Sequence, residues 1–215
     1  MEKDISHYRK SYEKNELLLN ECPDNPLELF KTWFHQVDEH FKDQETNAMT
    51  ISTIGLDGFP KNRVVLLKKY SDEGFVFYTN YESEKGKSIA VNPSVCLSFF
   101  WEFAERQVII KGKASKVSDL QSDAYFKSRP RGSRLGAIAS NQSQVIRDRS
   151  VIEDRLLELE SQYKDKEISR PKHWGGYIIQ PLEIEFWQGR PNRLHDRIRY
   201  TKAQNSDWDR ERLSP

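Results

Sequence analysis

The chain has 215 residues, and its 34 Lys and Arg against 33 Asp and Glu leave a formal net charge of +1. With so little net charge, no global field attracts nucleic acid or an anionic membrane surface, so any bound anion needs a local cluster of cations. No apolar run approaches the ~20 residues of a membrane-spanning helix. We therefore expect a folded, cytoplasmic protein with neither a nucleic-acid nor a membrane partner.

The first 20 residues differ in composition from the remainder. They are polar, with apolar side chains at Ile5, Tyr8 and Tyr12 in a thin stripe at helical spacing. This pattern predicts a helical arm over residues 1–20 and a main domain over residues 21–215.

The main domain is predicted to be mainly β with helical insertions. Asn25, Pro26 and Glu28 form a helix start signal ahead of an amphipathic helix. The period then changes to two, and strands at 49–54, 63–68 and 75–79 predict a β-meander. Further elements are a helix from Ser83, strands at 95–101 and 106–113, helical segments at 118–128, 135–139 and 151–163, and strands at 176–179, 184–187 and 197–201. Short antiparallel strands interrupted by helices are typical of a closed or half-closed barrel.

Arginine is concentrated in the second half of the chain, where it suggests phosphate sites. Fourteen of the 16 Arg residues lie from Arg106 onward. The planar guanidinium suits phosphate and carboxylate, so the cluster at 129–131 and the segment 193–199 are candidate anion sites. If the second segment is extended, Arg193, His195 and Arg197 point to one face.

Ion pairing within the protein is the alternative for these arginines. In the segment 193–199, Arg193 and Arg197 could pair with Asp196 and Glu185 and bind no ligand. The sequence alone leaves both possibilities open.

Other catalytic classes lack their motifs. The segment 132–136 has neither the P-loop lysine nor the dinucleotide spacing, and Ser133 and Ser143 have no nucleophile-elbow context. The five His form no HExxH pair, and Cys22 and Cys96 show no zinc spacing. We therefore expect no bound metal.

Several segments together resemble the pyridoxamine 5′-phosphate oxidase family, which uses FMN. The resemblance runs from about Tyr8 to the C-terminus in the family's order. It rests on Arg63–Lys68, Phe77–Asn80, Glu105–Val108, Tyr125–Pro130 with Ser133, Gln142-Ser143, Trp174–Gly176, Phe186–Gly189, Arg193–Arg197 and Arg212–Pro215.

The resemblance implies an antiparallel split β-barrel that forms a homodimer, with FMN in a cleft between the subunits. The family's cofactor contacts correspond by position to residues in both halves of the chain. They are Arg63, Val64, Val65, Leu66, Leu67, Lys68, Tyr78, Thr79, Lys85, Gln107, Gln142, Ser143, Trp187 and Arg197.

The resemblance also implies the reaction: oxidation of pyridoxamine or pyridoxine 5′-phosphate to pyridoxal 5′-phosphate. A hydride passes from C4′ to flavin N5, and O2 reoxidises the flavin with release of H2O2. Arg193 and His195 are the implied catalytic residues, and the arm is expected to close over the site. The implied substrate contacts are Arg9, Tyr12, Lys68, Tyr125, Arg129, Ser133, Arg193 and His195.

One position departs from the family pattern. Many members have Ser-Arg-Lys where this chain has Ser83-Glu84-Lys85, so an acid stands where a flavin-phosphate cation is usual. Either Glu84 faces the phosphate or, as we expect, it points to water at the start of a helix, where the helix dipole favours an acid.

Two rival functions remain open from the sequence. One is a split-barrel flavin reductase that uses a nicotinamide. The other is a non-catalytic carrier of FMN or pyridoxal phosphate.

Overall fold

A computed structural model describes residues 3–204 and 207–215. The helices are α1 (Pro26–His40), α2 (Glu84–Val91), α3 (Asp119–Ser128), α4 (Arg131–Ala139) and α5 (Ser150–Gln162). The strands are β1 (Ala48–Ile54), β2 (Pro60–Leu66), β3 (Lys69–Ser71), β4 (Gly74–Asn80), β5 (Ser94–Trp101), β6 (Arg106–Lys116), β7 (Trp174–Gln188), β8 (Asp196–Lys202) and β9 (Trp208–Leu213). Hydrogen-bonded strands follow the order β2-β1-β5-β6-β7-β4-β3, with β8 between β7 and β9.

The chain divides into two compact units. Unit 1 comprises Met1–Met49, Leu97–Lys111 and Pro181–Pro215, and unit 2 comprises Thr50–Cys96 and Gly112–Gln180. None of the helices in the described residues is long and apolar enough to cross a membrane.

Unit 1 is built around helix α1. The Asn25 side chain accepts a hydrogen bond from the Leu27 N–H, which caps the helix as the sequence predicts. Its buried face brings Phe30 against Phe99, and Trp33 against Phe186, with ring centroids 5.3 Å and 5.2 Å apart. In the same unit β8 pairs antiparallel with β7 and with β9.

Unit 2 contains β4 paired antiparallel with β3 and with the first part of β7. A hydrophobic core of Phe126, Leu135, Leu159, Ile168 and Trp174 joins α3, α4 and α5. Helix α2 begins where Ser83 Oγ accepts the Gly86 N–H. A Cβ at Gly86 would lie 2.2 Å from the Tyr81 carbonyl oxygen, so only glycine allows α2 to approach this turn so closely.

Two predicted features of the sheet differ from the structure. The predicted meander is only partly formed: β2 is hydrogen-bonded to β1 and is not a neighbour of β4, whereas β4 pairs with β3 and β7 and its Val76 carbonyl accepts the Lys68 N–H at 2.8 Å. The two strands predicted at 176–179 and 184–187 are one strand, β7, in which Pro181 lies where the pairing partner changes from β4 to β8. Proline has no N–H to donate to a ladder, and Pro181 lies outside the pairing registers of β7 with β4 and with β8.

The predicted helix of the N-terminal arm does not form in the part of the arm that the structure describes. Among the described residues 3–18 no helix occurs, and the first helical turn is Leu19–Glu21. The carboxylate of Glu105 accepts hydrogen bonds from the N–H groups of Glu13 and Lys14, and that of Asp196 accepts one from Leu17. These tertiary hydrogen bonds satisfy the backbone in place of helical ones. Met1 and Glu2, also part of the predicted arm, lie outside the described residues.

Candidate functional site

Unit 2 contains a cavity of about 480 Å³, within the range of small-molecule sites. It is bordered by the end of β2, by β4, by the start of α2 and by the α3–α4 region. Its lining includes these predicted residues: Val64, Val65, Leu66, Lys68, Tyr78, Thr79, Lys85, Tyr125, Arg129, Ser133 and Gln142. Asn80, Pro130 and Trp174 also line it and were not predicted as site residues.

Two cations in this cavity are poorly paired. Lys85 is 7% exposed, and its Nζ donates to Thr79 Oγ1 at 3.3 Å. Burial, together with the charge of Arg63, lowers the pKa of Lys85. The Nη1 atom of Arg129 is buried without a hydrogen-bond partner, and burial lowers the pKa of this guanidinium.

These cations fit an anionic ligand. Among the described residues that line the cavity there is no Asp or Glu. A buried charge without an opposite charge is costly. A phosphate group would supply that charge and accept several charge-assisted hydrogen bonds.

The cavity also has an aromatic wall. The rings of Tyr78 and Tyr125 stack with centroids 3.8 Å apart and 16° between their planes. Trp174 is nearly parallel to Tyr78, at 5.7 Å, and the Arg129 guanidinium lies 4.6 Å from the Trp174 ring centroid. An aromatic wall beside cations that make no ion pair among the described residues suits a flat ring that carries a phosphate, which is the chemistry of both FMN and the phosphorylated pyridines.

Glu84 lies at the start of α2, as expected, but its carboxylate is paired with cations rather than pointing to water. Its carboxylate accepts hydrogen bonds from Lys61 Nζ, at 2.5 Å, and from Arg63. The hydrogen bond from Lys61 is the main cause that lowers the pKa of Glu84. Lys61 also pairs with Asp57 at 2.8 Å. Glu84 therefore holds the two cations of β2 at the start of α2.

Some predicted cofactor residues do not line the cavity. Arg63 binds Glu84, and Leu67 is buried in the core. Ser143 lines a neighbouring cavity of about 270 Å³, which shares Gln142 with the first and includes Glu84.

Unit 1 groups three further predicted residues: Tyr12, Trp187 and His195. The His195 and Trp187 ring centroids are 4.6 Å apart, and the Tyr12 ring packs edge-on against Trp187 at 5.7 Å. A Cβ at Gly189 would lie 2.7 Å from the Tyr12 ring, so glycine is needed for this contact. The arm therefore brings an aromatic side chain to the predicted catalytic histidine.

The predicted common face of Arg193, His195 and Arg197 is wrong. The chain is not extended there, because it makes a tight turn at Pro191–Arg193, where Asn192 and Arg193 have φ values of 57° and 62°. Strand β8 begins only at Asp196.

The internal pairing weighed as the alternative holds for Arg197. Its Nε donates to Glu185 at 2.7 Å, and Nη1 donates to the Ser214 carbonyl. Arg193 makes no ion pair within the described part of the chain, and Asp196 pairs with Arg212 at 2.6 Å. Arg193 is therefore the cation of this segment that has no acidic partner.

The remaining predicted residues lie in unit 1. Gln107 donates to Ser98 Oγ at 3.2 Å, and Arg9 is exposed in the arm. No motif in the sequence pointed to Arg190, which binds Glu16 and lies near Asp196, with nitrogen–oxygen distances of 3.0 Å and 3.7 Å.

Comparison with known families agrees with this architecture. Residues 37–163 match the sequence model of pyridoxamine 5′-phosphate oxidase, and residues 174–215 match the pyridoxine 5′-phosphate oxidase C-terminal dimerisation region. The chain belongs to the pyridoxamine 5′-phosphate oxidase family. The predicted family and the predicted enzyme class, an oxidase, are confirmed, and the dimerisation region supports the predicted homodimer.

The similarity to individual relatives extends over all or nearly all of the chain. The chain is 63% identical to the pyridoxine/pyridoxamine 5′-phosphate oxidase of Flavobacterium johnsoniae, over 98% of this chain and 99% of that protein. The corresponding protein of Leptospira interrogans is 47% identical over the full length of both.

Solved structures confirm the predicted fold class. PhzG from Burkholderia lata, in complex with tetrahydrophenazine-1-carboxylic acid, is 27% identical and matches with a TM-score of 0.86 over 94% of this chain and all of that one. An FMN-binding protein of Nostoc punctiforme, described as related to pyridoxamine 5′-phosphate oxidase, is 14% identical and covers 87% of this chain and 96% of its own. Its TM-score of 0.68 shows the shared fold alone.

Proposed function

We propose that the protein oxidises pyridoxamine 5′-phosphate and pyridoxine 5′-phosphate to pyridoxal 5′-phosphate, with FMN as its cofactor. The observation that carries the proposal is the cavity of unit 2, where Lys85 and Arg129 make no ion pair with any described residue and lie beside an aromatic wall. The 63% identity to an oxidase named for these substrates supports the same reaction.

The chain's own residues divide between cofactor and substrate. Lys85 and Thr79 offer an ammonium and a hydroxyl to the cofactor, beside the apolar segment Val64–Leu66. When bound, FMN supplies at N5 the acceptor for the hydride that leaves C4′, and O2 restores it with release of H2O2. The further cofactor contacts proposed from the resemblance are Arg63, Leu67, Lys68, Tyr78, Gln107, Gln142, Ser143, Trp187 and Arg197.

The substrate phosphate is proposed to bind Lys68, Tyr125, Arg129 and Ser133, all of which line the cavity. Together they provide two cations and two hydroxyls for a phosphate dianion. In unit 1, Arg193 and His195 are proposed to hold and orient the pyridine ring, and the arm to cover it through Arg9 and Tyr12. The protein thereby fixes the distance and face of C4′.

The amine and alcohol substrates differ in the number of steps that lead to the aldehyde. After the amine loses a hydride from C4′ and a proton from nitrogen, water adds to the imine and ammonia leaves, which yields the aldehyde. The alcohol loses a hydride and its hydroxyl proton and yields the aldehyde directly.

We also propose that FMN binds at the subunit interface of the homodimer and that the enzyme is cytoplasmic. The match of residues 174–215 to a dimerisation region supports the dimer on which the first statement depends. The division into an arm over 1–20 and a main domain over 21–215 remains part of this proposal.

The test is a product assay on the purified yellow protein. On aerobic addition of pyridoxamine 5′-phosphate we expect aldehyde and peroxide in equal amounts. Binding without turnover would contradict the proposal and indicate a carrier. Rapid oxidation of reduced nicotinamide, with no aldehyde formed from pyridoxamine 5′-phosphate, would indicate a flavin reductase.

A further inference from the structure

His195 accepts a hydrogen bond that only one form of its ring permits. The backbone N–H of Arg190 points to His195 Nδ1, with a nitrogen–nitrogen distance of 3.1 Å. A backbone N–H can only donate, so Nδ1 must offer its lone pair. In the neutral ring the proton then resides on Nε2.

We propose that the Arg190 N–H holds His195 as the neutral Nε2–H tautomer, so that His195 serves the substrate as a hydrogen-bond donor and not as a base. The tautomer is a property of the protein alone, whereas the donor role rests on the proposed function.

The position of the Arg190 N–H is fixed by the side chain of the same residue. Its Nη1 binds the Glu16 carboxylate and the Asn15 carbonyl, at 3.0 Å and 3.4 Å, and its Nε lies 3.7 Å from Asp196 Oδ2. The same Asp196 oxygen accepts the Leu17 N–H at 3.0 Å. The arm and the start of β8 thus hold Arg190 from two sides.

The charges around the ring also favour its neutral form. Partial burial and the cation of Arg193 lower the pKa of His195, against an opposing effect of Asp196. Asp196 is itself engaged by Arg212 at 2.6 Å, by Arg190 and by the Leu17 N–H. From the arm, the Tyr12 ring faces His195 with centroids 5.9 Å apart.

The tautomer limits what His195 can do in the reaction. With its proton on Nε2 and its lone pair engaged by Arg190, the ring offers one donor and no free acceptor. It can therefore orient an oxygen or nitrogen acceptor of the substrate. The proton that the substrate loses must go elsewhere, either to water or to another group.

The direct test is nitrogen NMR of the FMN-loaded protein labelled with ¹⁵N-histidine and ¹⁵N-arginine. We expect His195 Nδ1 to show the shift of an unprotonated nitrogen at pH 7, and a coupling across the hydrogen bond to the Arg190 amide nitrogen. His195→Gln assigns the signal. A protonated Nδ1, or an imidazolium at pH 7, would overturn the proposal.

His40 provides an internal control with the opposite geometry. Its Nδ1 lies 2.8 Å from the Gln36 carbonyl oxygen, an acceptor, so this nitrogen must carry a proton. The same spectrum should therefore show opposite protonation of Nδ1 in the two rings. Both rings are observed without substrate, so the result does not depend on the oxidase activity.

The donor role is tested by two substitutions at one position. His195→Gln keeps a donor and should lower kcat by about tenfold at most, the order of one neutral hydrogen bond. His195→Glu keeps only an acceptor and should lose substantially more. If His195 were the base, His195→Gln would lose about 10²- to 10⁴-fold, and His195→Glu would retain more activity than His195→Gln. That order would overturn the donor role even if the tautomer is as proposed.

Discussion

Lys85→Met is expected to weaken FMN binding without destabilising the apoprotein. The substitution keeps an unbranched side chain of similar length at a position that is only 7% exposed. It removes an ammonium whose hydrogen bond in the structure is to Thr79 Oγ1 at 3.3 Å. The two effects have opposite signs because the charge is costly in the apoprotein and favourable beside a phosphate.

The size of each effect follows from the interactions that the Lys85 ammonium makes with and without FMN. A charge-assisted hydrogen bond contributes about 1.5–3 kcal/mol, which corresponds to a rise in the FMN Kd of about 10- to 150-fold. In the apoprotein, burial lowers the pKa of Lys85, so the folded state holds this charge less favourably than the unfolded state does. The apoprotein of Lys85→Met should therefore unfold at the same temperature as wild type or higher.

The assay is a titration of apoprotein with FMN, followed by flavin fluorescence, together with thermal unfolding of each apoprotein. Lys113→Met is the matched control, because Lys113 is an exposed lysine bonded to Ser94 Oγ. An unchanged FMN Kd in Lys85→Met would refute the assignment of Lys85 to the phosphate. A large drop in apoprotein stability would show that its charge is well compensated within the fold.

Three further expectations concern the rest of the site. Arg193→Ala and His195→Ala should lower kcat far more than FMN occupancy, and loss of the yellow colour with an unchanged rate per bound flavin would reverse that assignment. Arg129→Ala should chiefly raise the KM for the phosphorylated substrate, because a phosphate contact remote from C4′ contributes mainly uniform binding; a fall in kcat at constant KM would contradict this. Glu84→Gln releases Arg63 and removes a negative charge, so FMN should bind several-fold tighter at low salt and the gain should fade as salt is added; equal Kd values at all salt concentrations would show that this ion pair does not influence the phosphate.

Local signals in the sequence predicted the starts of α1, α2 and α3, whereas α4 begins at Arg131 and not near residue 135. Asn25, Ser83 and Ser118 each accept a backbone N–H in the first turn of the following helix, as their positions indicated. A cap depends on residues two or three positions apart, so a short segment contains all the necessary information. The resemblance also named Lys68, Tyr125, Arg129 and Ser133, and the structure brings these four residues to one cavity; their role in binding a phosphate stays a prediction.

Non-local interactions explain the errors. Backbone N–H groups of the arm donate to the carboxylates of Glu105 and Asp196. These acceptors are distant in sequence, so the helical periodicity of the arm does not reveal them. The turn at Arg193 depends on two successive residues with positive φ, neither of them glycine. The pairing of Arg63 with Glu84 joins β2 to α2, and only their tertiary arrangement brings the two charges together.

An anaerobic titration of the FMN-loaded protein tests the central claim most directly. Pyridoxamine 5′-phosphate is added in steps without oxygen while the flavin absorption is recorded, and air is then admitted. We expect the absorption to disappear with one equivalent of substrate per FMN and to return with oxygen, with one equivalent of peroxide. Absorption that persists although the substrate binds, or that disappears only with reduced nicotinamide, would contradict the proposed oxidase.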